Sequence, residues 1–578
     1  MDQSQQQEKH NLQQLEESGS KTPQIKVISP HSNQQTPLNK SEMQAPQLTP
    51  HTSANLKEEL QLPDQFFYKK RKYNVLLVSD FFFPGLGGVE MHMYQLGQCL
   101  LERGHKVVVM SSIYRNERVG VRYLTNGLKT YHVPLYALAS NQSSLAYIIF
   151  FTKLVREIII RENIDVVHCH QGGSSLMIQV NHITSAMGIR TVFTDHSLFE
   201  FADMPSIHLN KVLKWALSEV DAAIAVSHTN KENLALRARI DPSKIYVIPN
   251  AVDTTKFTPD PSKKPNNGKI NIVVVCRMNF RKGVDLLVDI IPEVIRKYPQ
   301  VNFIIGGDGP KLDLLKQLRD KYNLSDRMEL LGRVEHKHVR DVFCRGDIFL
   351  NTSLTEAFCI AILEAASCGL LCVSTNVGGI CELLPDQMIY LAPPNPQKLL
   401  QQLERAIENY QTIDPFHYHE TVKSLYSWRN VAYRVEKVYD DIQENRKPSA
   451  LGRLKISYSN GLFLGLITVL LMVIEIVWVA ILSFFYPAHK IDKAYDFDYR
   501  TYLHESNKTA KYGEHMFKVD TPDKHEYQAP TKLSDLGKKL QQQKVPQKLE
   551  NKNDLKQSQQ LEQQEMKKYK RFKLDPQW

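Results

Sequence analysis

The sequence has few cysteines and no pattern among them. Eight occur in 578 residues, at Cys99, Cys169, Cys276, Cys344, Cys359, Cys368, Cys372 and Cys381, irregularly spaced and never as paired C-x2-C clusters. That excludes a zinc-ribbon arrangement and offers no disulfide framework; several fall inside apolar runs and read as buried thiols in a reducing compartment. The first residues are Gln-rich and polar, so no N-terminal signal peptide is expected. No basic helix with interleaved aromatics occurs in the central region, and much of the formal charge of +10 comes from the C-terminal tail. Nucleic acid is therefore not an expected partner.

What is present divides into parts. At this length two or three units are expected. Residues 1–70 are rich in Gln, Ser, Pro and Lys and are predicted to be a disordered tail, as is much of 487–578, with Lys/Gln runs such as KKLQQQK. A single long apolar run, Gly461 to Tyr486, has the length to cross a bilayer with some tilt. Trp478 and Tyr486 are its interface-type aromatics, and Glu475 is its one charge, predicted to meet a partner helix. Arg446, Lys447, Arg453 and Lys455 precede the span, and Lys490, Lys493 and Arg500 follow it. That balance places the large globular part on the cytoplasmic side and the tail in the lumen.

The region between reads as an α/β protein of two Rossmann-like domains facing across a cleft, 71–258 and 259–445, the second with a return helix. YNVLLVSD is an apolar strand, followed by the loop FFFPGLGG and a helix from about Val89 to Arg103. KVVVMSS, IDVVHCH, RTVFTDH, AAIAVS and KIYVIPN continue the alternation. After a polar linker from Pro259 to Gly268 a second series begins: KINIVVVCR, VNFIIGGDG, RMELLG, DIFLNTS and LLCVST. Strand–helix alternation of this kind predicts parallel, doubly wound sheets, with ligands beyond the carboxyl ends of the strands.

Candidate functional residues sit at those ends. Gly87 and Gly88 lie between the first strand and first helix, where glycine lets backbone amides approach an anion, although GLGGVE is not the full dinucleotide fingerprint and a plain turn reads equally well. Arg277 and Lys282, in CRMNFRKG, are two cations able to neutralise a pyrophosphate, with Arg281 able to substitute for either. Gly307 and Gly309, in GGDGP, permit close backbone approach to a base or ribose, or form a tight turn. His196 ends a strand beside Asp195 and is placed to bond a sugar hydroxyl. NTSLTEAFCIAILE holds Glu356 and Glu364 with seven residues between them, Glu356 following a polar cluster suited to a helix N-terminus. On one helix the two carboxylates would stand about 12 Å and about 80° apart, too far to share a proton or metal but able to grip two parts of a long ligand. The helix N-terminus, near Ala357 and Phe358, would meet a phosphate.

Together these motifs resemble the retaining glycosyltransferases of the two-Rossmann-domain (GT-B) type with the E-x7-E signature, over about Tyr73 to Asp440. SDFFFPGLGGVEMHMYQLGQCLLERGHKV, TVFTDHSLFEFAD, VIPNAVDTTKFTPDP, RKGVDLL and LNTSLTEAFCIAILEAASCGL are similar, within that family, to the phosphatidylinositol-directed N-acetylglucosaminyltransferases of glycosylphosphatidylinositol (GPI) anchor biosynthesis. The resemblance implies transfer of N-acetylglucosamine from UDP-GlcNAc to phosphatidylinositol with retention, at the endoplasmic reticulum membrane, alongside other membrane subunits of a transferase complex. It implies that Arg277 and Lys282 hold the donor diphosphate, Glu356 meets the sugar hydroxyls and Glu364 the ribose. His196 would line the reaction centre, and Gly87 and Gly88 would face phosphate and acceptor. Amides near Ala357 and Phe358 would complete the phosphate site. It implies no cofactor and no catalytic metal, which makes Asp496-Phe497-Asp498 a decoy, and it does not make Glu356 a nucleophile. A mannosyl-donor enzyme with the same cleft, or a non-catalytic membrane scaffold, stays open at this stage; four intact charged positions argue against the scaffold.

Overall fold

The computed structural model describes residues 71–85, 87–112, 119–135, 148–198, 204–266, 268–445 and 447–495. The two tails, Leu86, Phe199 to Asp203, Arg446, Arg500 and the Asp496-Phe497-Asp498 sequence lie outside them. The described residues fall within one compact unit.

The first half is an eight-stranded sheet. In chain order it contains β1 (Asn74–Val78), α1 (Gly88–Glu102), β2 (Lys106–Ser112), β3 (Gly120–Tyr123), β4 (Lys129–Val133), α2 (Ile148–Glu162), β5 (Val166–His170), α3 (Ser175–Met187), β6 (Arg190–Asp195), α4 (Met204–Ala216), β7 (Ala222–Ala225), α5 (His228–Ala238) and β8 (Ile245–Val247). The strand order is β3-β4-β2-β1-β5-β6-β7-β8, parallel except where β3 runs against β4. β1 is a central strand paired on both sides, Val75 with Val107 and with Val166. Its apolar residues are buried on both faces, which is why it reads as an uninterrupted apolar run.

The second half follows the same logic: β9 (Ile270–Val275), α6 (Val284–Lys297), β10 (Val301–Gly306), α7 (Leu312–Lys321), β11 (Met328–Gly332), α8 (His336–Phe343), β12 (Ile348–Asn351), α9 (Ile360–Ser367), β13 (Leu371–Thr375), β14 (Ile389–Ala392), α10 (Pro396–Asn409) and α11 (Pro415–Leu425). Its sheet runs β11-β10-β9-β12-β13-β14, all parallel. In each sheet the winding direction reverses beside the first strand, between β1 and β5 and between β9 and β12. Those reversals open crevices beyond the carboxyl ends of the strands.

A long helix, α12 (Trp428–Glu444), returns from the second half to pack on the first. Asp440 accepts a hydrogen bond from Tyr73 Oη at 2.5 Å, and buried Glu436 pairs with Arg103 and His105. Two further helices follow, α13 (Ala450–Tyr458) and α14 (Leu462–Phe485), the latter of 24 residues and apolar enough to cross a membrane by length and composition. Most of its surface is bare, Phe463 and Phe484 being 81% and 80% exposed. One stripe, Gly465, Thr468, Met472, Glu475 and Leu482, is buried against α13, α2 and α3. Glu475 is not left for a helix of another protein: its carboxylate accepts a hydrogen bond from Thr152 on α2 of the same chain. The chain leaving α14 touches α2 again, through Lys493 Nζ to Ile160 O at 2.7 Å and Ala494 N to Arg161 O at 2.9 Å.

Candidate active site

The loop after β9 and the loop after β12 meet at the crevice of the second half. The expected helix over the two glutamates is shorter than its sequence promises: α9 begins at Ile360, with Cys359 as its uncapped N-terminal neighbour. Glu356 therefore stands in an irregular loop ahead of the helix, and Glu364 alone lies on it. Tertiary bonds claim the groups a helix would have used. Thr352 Oγ1 donates to Lys282 O at 2.9 Å, Ser353 Oγ lies 2.8 Å from Asn351 Oδ1 and 2.9 Å from Glu356 Oε1 and shares its one proton between them, and Ala357 O accepts from Ser227 Oγ at 2.8 Å. Glu356 O accepts from Gly379 N at 3.0 Å. Gly378, at φ +55, has to be glycine, because a Cβ there would lie 2.0 Å from Glu356 O. Among the described residues nothing accepts from the amides of Ala357 and Phe358, which leaves two donors beside Glu356.

Lys282 pairs with Glu356. Burial presses against the lysine's charge, and the carboxylate more than offsets it, holding the ammonium above its ordinary range. Arg277 is exposed and has no hydrogen-bond or ion-pair partner among the described residues. Arg281 is exposed and already engaged in part, its guanidinium donating to Leu198 O in the first half at 2.9 Å. Glu364 faces His336, with Nε2 at 3.4 Å.

The glycine positions separate. Gly87 is extended, and a Cβ on it would lie 2.5 Å from Glu90 Oε2 and 2.9 Å from Arg277 Nη2, so both halves of the chain close on this residue. Gly88 has room, its Cβ meeting only Ile360 Cδ1 at 3.8 Å. Gly307 and Gly309 are required by the protein's own backbone: with φ of +141 and +153, Cβ atoms would fall 1.8 Å from Cys276 O and 2.5 Å from Met278 O. This is the tight-turn alternative; nothing in their surroundings distinguishes a nucleotide contact.

His196 lies just past β6 and is part of a cluster that sequence reasoning missed. His168 and His170 alternate on β5 and stack at 4.3 Å between centroids; His92 comes from α1, with its ring 4.6 Å from that of His196. The alternation H-C-H at a strand end was the available signal. The cluster's outer wall was not legible, because it comes from α12: Tyr439 Oη lies 2.8 Å from His168 Nδ1, and Trp428 meets His92 edge to face at 5.3 Å. Burial keeps these imidazoles neutral, lowering His92 to about 4 and His168 to about 3 and depressing His170 and His196 well below the usual value. Asp195 is raised to about 6 by burial, against Arg237 and its bonds from Asn230 and the Ser197 amide, and it pins the loop that carries His196. Glu90, unremarked in the sequence, is buried near Gly87; burial raises its pKa and Arg277 opposes the shift.

The halves are latched beside the site. The amides of His228 and Thr229, at the start of α5, donate to Glu382 at 2.7 and 2.9 Å, placing a carboxylate of the second half on a helix N-terminus of the first. Among the described residues the arrangement offers one unpaired cation, one cation held by a carboxylate and two amides without acceptors at the crevice of the second half, and a neutral histidine cluster at the strand ends of the first.

Comparison with known proteins agrees with this geometry. The family model described as Glycosyltransferase Family 4 matches residues 86–256, and that described as Glycosyl transferases group 1 matches residues 256–419. A phosphatidylinositol N-acetylglucosaminyltransferase subunit of Arabidopsis thaliana is 50% identical over 425 residues, covering 74% of this chain and 94% of the relative. Its Homo sapiens namesake is 48% identical over 432 residues, covering 74% and 88%. The fold is shared with sucrose-phosphate synthase from Thermosynechococcus elongatus, at a TM-score of 0.55 and 18% identity, covering 65% of this chain and 100% of that one. With two Rossmann-like halves, both family models in register with them, and half of its aligned residues in common with such a relative, the chain belongs to the GT-B glycosyltransferases, in the family of these phosphatidylinositol N-acetylglucosaminyltransferase subunits.

Proposed function

We propose that this chain transfers N-acetylglucosamine from UDP-GlcNAc to the inositol 6-hydroxyl of phosphatidylinositol, with retention, giving GlcNAc-phosphatidylinositol at the first step of GPI-anchor biosynthesis. The observation that carries this reading is the meeting of Arg277, Lys282, Glu356 and the free amides of Ala357 and Phe358 at one strand-end crevice, in a chain so similar to named subunits of that transferase. Arg277 and Lys282 take the diphosphate, whose negative charge grows as the sugar departs, and the two amides add fixed dipoles at the same place. Glu356 receives the sugar hydroxyls, Glu364 the ribose, and His196 lines the reaction centre. Positive charge supplied by side chains makes a metal unnecessary for this step. UDP-GlcNAc and phosphatidylinositol are the substrates, and other membrane subunits complete the complex.

We place the chain in the endoplasmic reticulum membrane, with the catalytic halves cytoplasmic and the tail after α14 lumenal. A second reading is favoured by one observation: Lys493 and Ala494 bond the last turn of α2, so both flanks of α14 touch the same half. A helix lying along the membrane face would leave the tail cytoplasmic. Protease protection of a C-terminal epitope in sealed microsomes separates these, a protected epitope meaning a crossing helix. Function is tested with membranes carrying this chain and its partner subunits, labelled UDP-GlcNAc and phosphatidylinositol. Labelled GlcNAc-phosphatidylinositol is expected from the wild type and not from Lys282→Ala; product from GDP-mannose instead would overturn the donor assignment.

A further inference from the structure

His92, His170 and His196 bring ligand-capable atoms within 4.8 Å of one another, which is the first requirement of a metal site. The ring geometry points elsewhere. The His170 and His196 rings are nearly parallel, at 20°, with centroids 5.6 Å apart, yet His170 Nδ1 and His196 Nε2 are only 3.3 Å apart. Rings so placed meet edge on, each nitrogen aimed at the other rather than at a common third point. His92 Nδ1 is likewise engaged, at 2.7 Å from Asn250 Oδ1.

Two neutral imidazoles joined this way share one proton, and its position sets the tautomer of both. The surroundings choose between the two possibilities. His170 is fully buried, and its Nε2 has no partner among the described residues. If His170 Nδ1 accepted the bond, Nε2 would carry a buried, unsatisfied N–H; if Nδ1 donates, Nε2 is a bare lone pair, the less costly orphan. His170 therefore donates to His196 Nε2, and the proton of His196 sits on Nδ1. That atom, unlike the Nε2 atoms of His92 and His170, is absent from the buried unpartnered set and has no protein partner among the described residues. It is left to the cleft.

We propose that His170 is a positioning residue that locks His196 in the Nδ1–H tautomer, so that the reaction centre receives a fixed hydrogen-bond donor aimed at an oxygen of the substrate. The inference rests on the reading that His196 lines the reaction centre. His168, stacked on His170 and held by Thr194 Oγ1 at 2.7 Å and by Tyr439, keeps the pair from turning.

The test compares His170→Asn, His170→Gln and His170→Ala with His196→Ala, each as the full chain with its partner subunits in membranes. The Asn amide nitrogen lies as many bonds from Cα as Nδ1 does and can donate to His196 Nε2; the Gln amide overshoots. His170→Asn is expected to keep kcat within about threefold, while His170→Gln and His170→Ala lose roughly 10- to 100-fold with the KM for UDP-GlcNAc unchanged. Equal loss in the Asn and Ala variants, or wild-type turnover in His170→Ala, would overturn the inference. So would failure of both the Asn and Gln variants to bind UDP, which would make His170 a packing residue. Wild-type turnover in His196→Ala would instead remove the reading beneath it; an inactive His196→Ala beside a fully active His170→Ala leaves that reading standing and removes only this inference.

Discussion

Replacing Glu356 by Gln separates donor binding from transfer, because the two should move in opposite directions. The substitution keeps the side chain's shape and removes its charge. In the free protein that charge holds the Lys282 ammonium and accepts from Ser353. A diphosphate arriving at Lys282 meets the carboxylate as a like charge. Two unit charges about 4 Å apart interact by about 1 kcal/mol in water and about 4 kcal/mol near a protein surface. The lysine and glutamate side chains are only 28% and 13% exposed, so solvent and salt screen little; the Lys282 ammonium paired with Glu356 offsets most of the repulsion and leaves about 1 kcal/mol, or fivefold in affinity. UDP should therefore bind Glu356→Gln about fivefold more tightly than wild type. Transfer should fall, because a sugar hydroxyl loses a charged acceptor worth roughly 1.5–3 kcal/mol, or 10- to 150-fold in kcat. Lys282→Met should weaken UDP and slow transfer together. Titration calorimetry with UDP and initial rates with phosphatidylinositol in mixed micelles supply both readings. If Glu356→Gln weakens UDP in step with its loss of turnover, the carboxylate does not stand beside the diphosphate and the assignment fails.

Gly87→Ala should raise the KM for UDP-GlcNAc at least tenfold, its methyl displacing Arg277 and Glu90, whereas Gly88→Ala, with space around it, should stay within about threefold; equal behaviour of the two would show that the packing around Gly87 is not what matters. Stability should fall on acidification. His92 and His168, ordinarily near 6.5, titrate at about 4 and about 3 in the fold, so the unfolded chain takes up protons first as pH drops below 6.5. Their contribution is complete above that value and is lost on the way to about 4 for His92 and about 3 for His168. Asp195 works the other way: raised from 3.8 to about 6, it favours the fold below 3.8 and that advantage is lost as pH rises to 6. Asp80, Glu90 and Glu219, also raised by burial, act with Asp195, but the five lowered imidazoles (His92, His168, His170, His182 and His196) outnumber these four carboxyls, so the unfolding midpoint of the purified protein should be lower at pH 5.5 than at pH 7.5, and equal midpoints would contradict the burial assigned to the cluster.

Central strands such as β1 and β9 were legible because both faces are buried, which writes an apolar run into the sequence. The hairpin of β3 and β4 was not: all four residues of β3 are exposed, so no alternation marks it. Lys282, Arg277 and Glu356 could be placed at one crevice because parallel sheets put strand ends there. The start of α9 could not be placed, since local preference favours a helix from Thr355 and tertiary contacts, those with Gly379 and Ser227 among them, keep the chain out of the helix as far as Cys359. His92, Tyr439 and Trp428 reach the histidine cluster from α1 and α12, and no spacing in the sequence announces such a meeting.

The docking of α14 on α2 and α3 bears on how a greasy substrate is met. A phospholipid pulled from its bilayer exposes chains at about 0.8 kcal/mol per CH2. With Glu475 fastened to Thr152, the half that bears His196 is tied directly to the one helix among the described residues long and apolar enough to enter a bilayer. The inositol ring is then encountered by lateral diffusion in two dimensions. Turnover should follow the mole fraction of phosphatidylinositol in the surface and ignore its bulk concentration, so that the composition of the surrounding leaflet, as much as the cleft, sets the pace of the reaction.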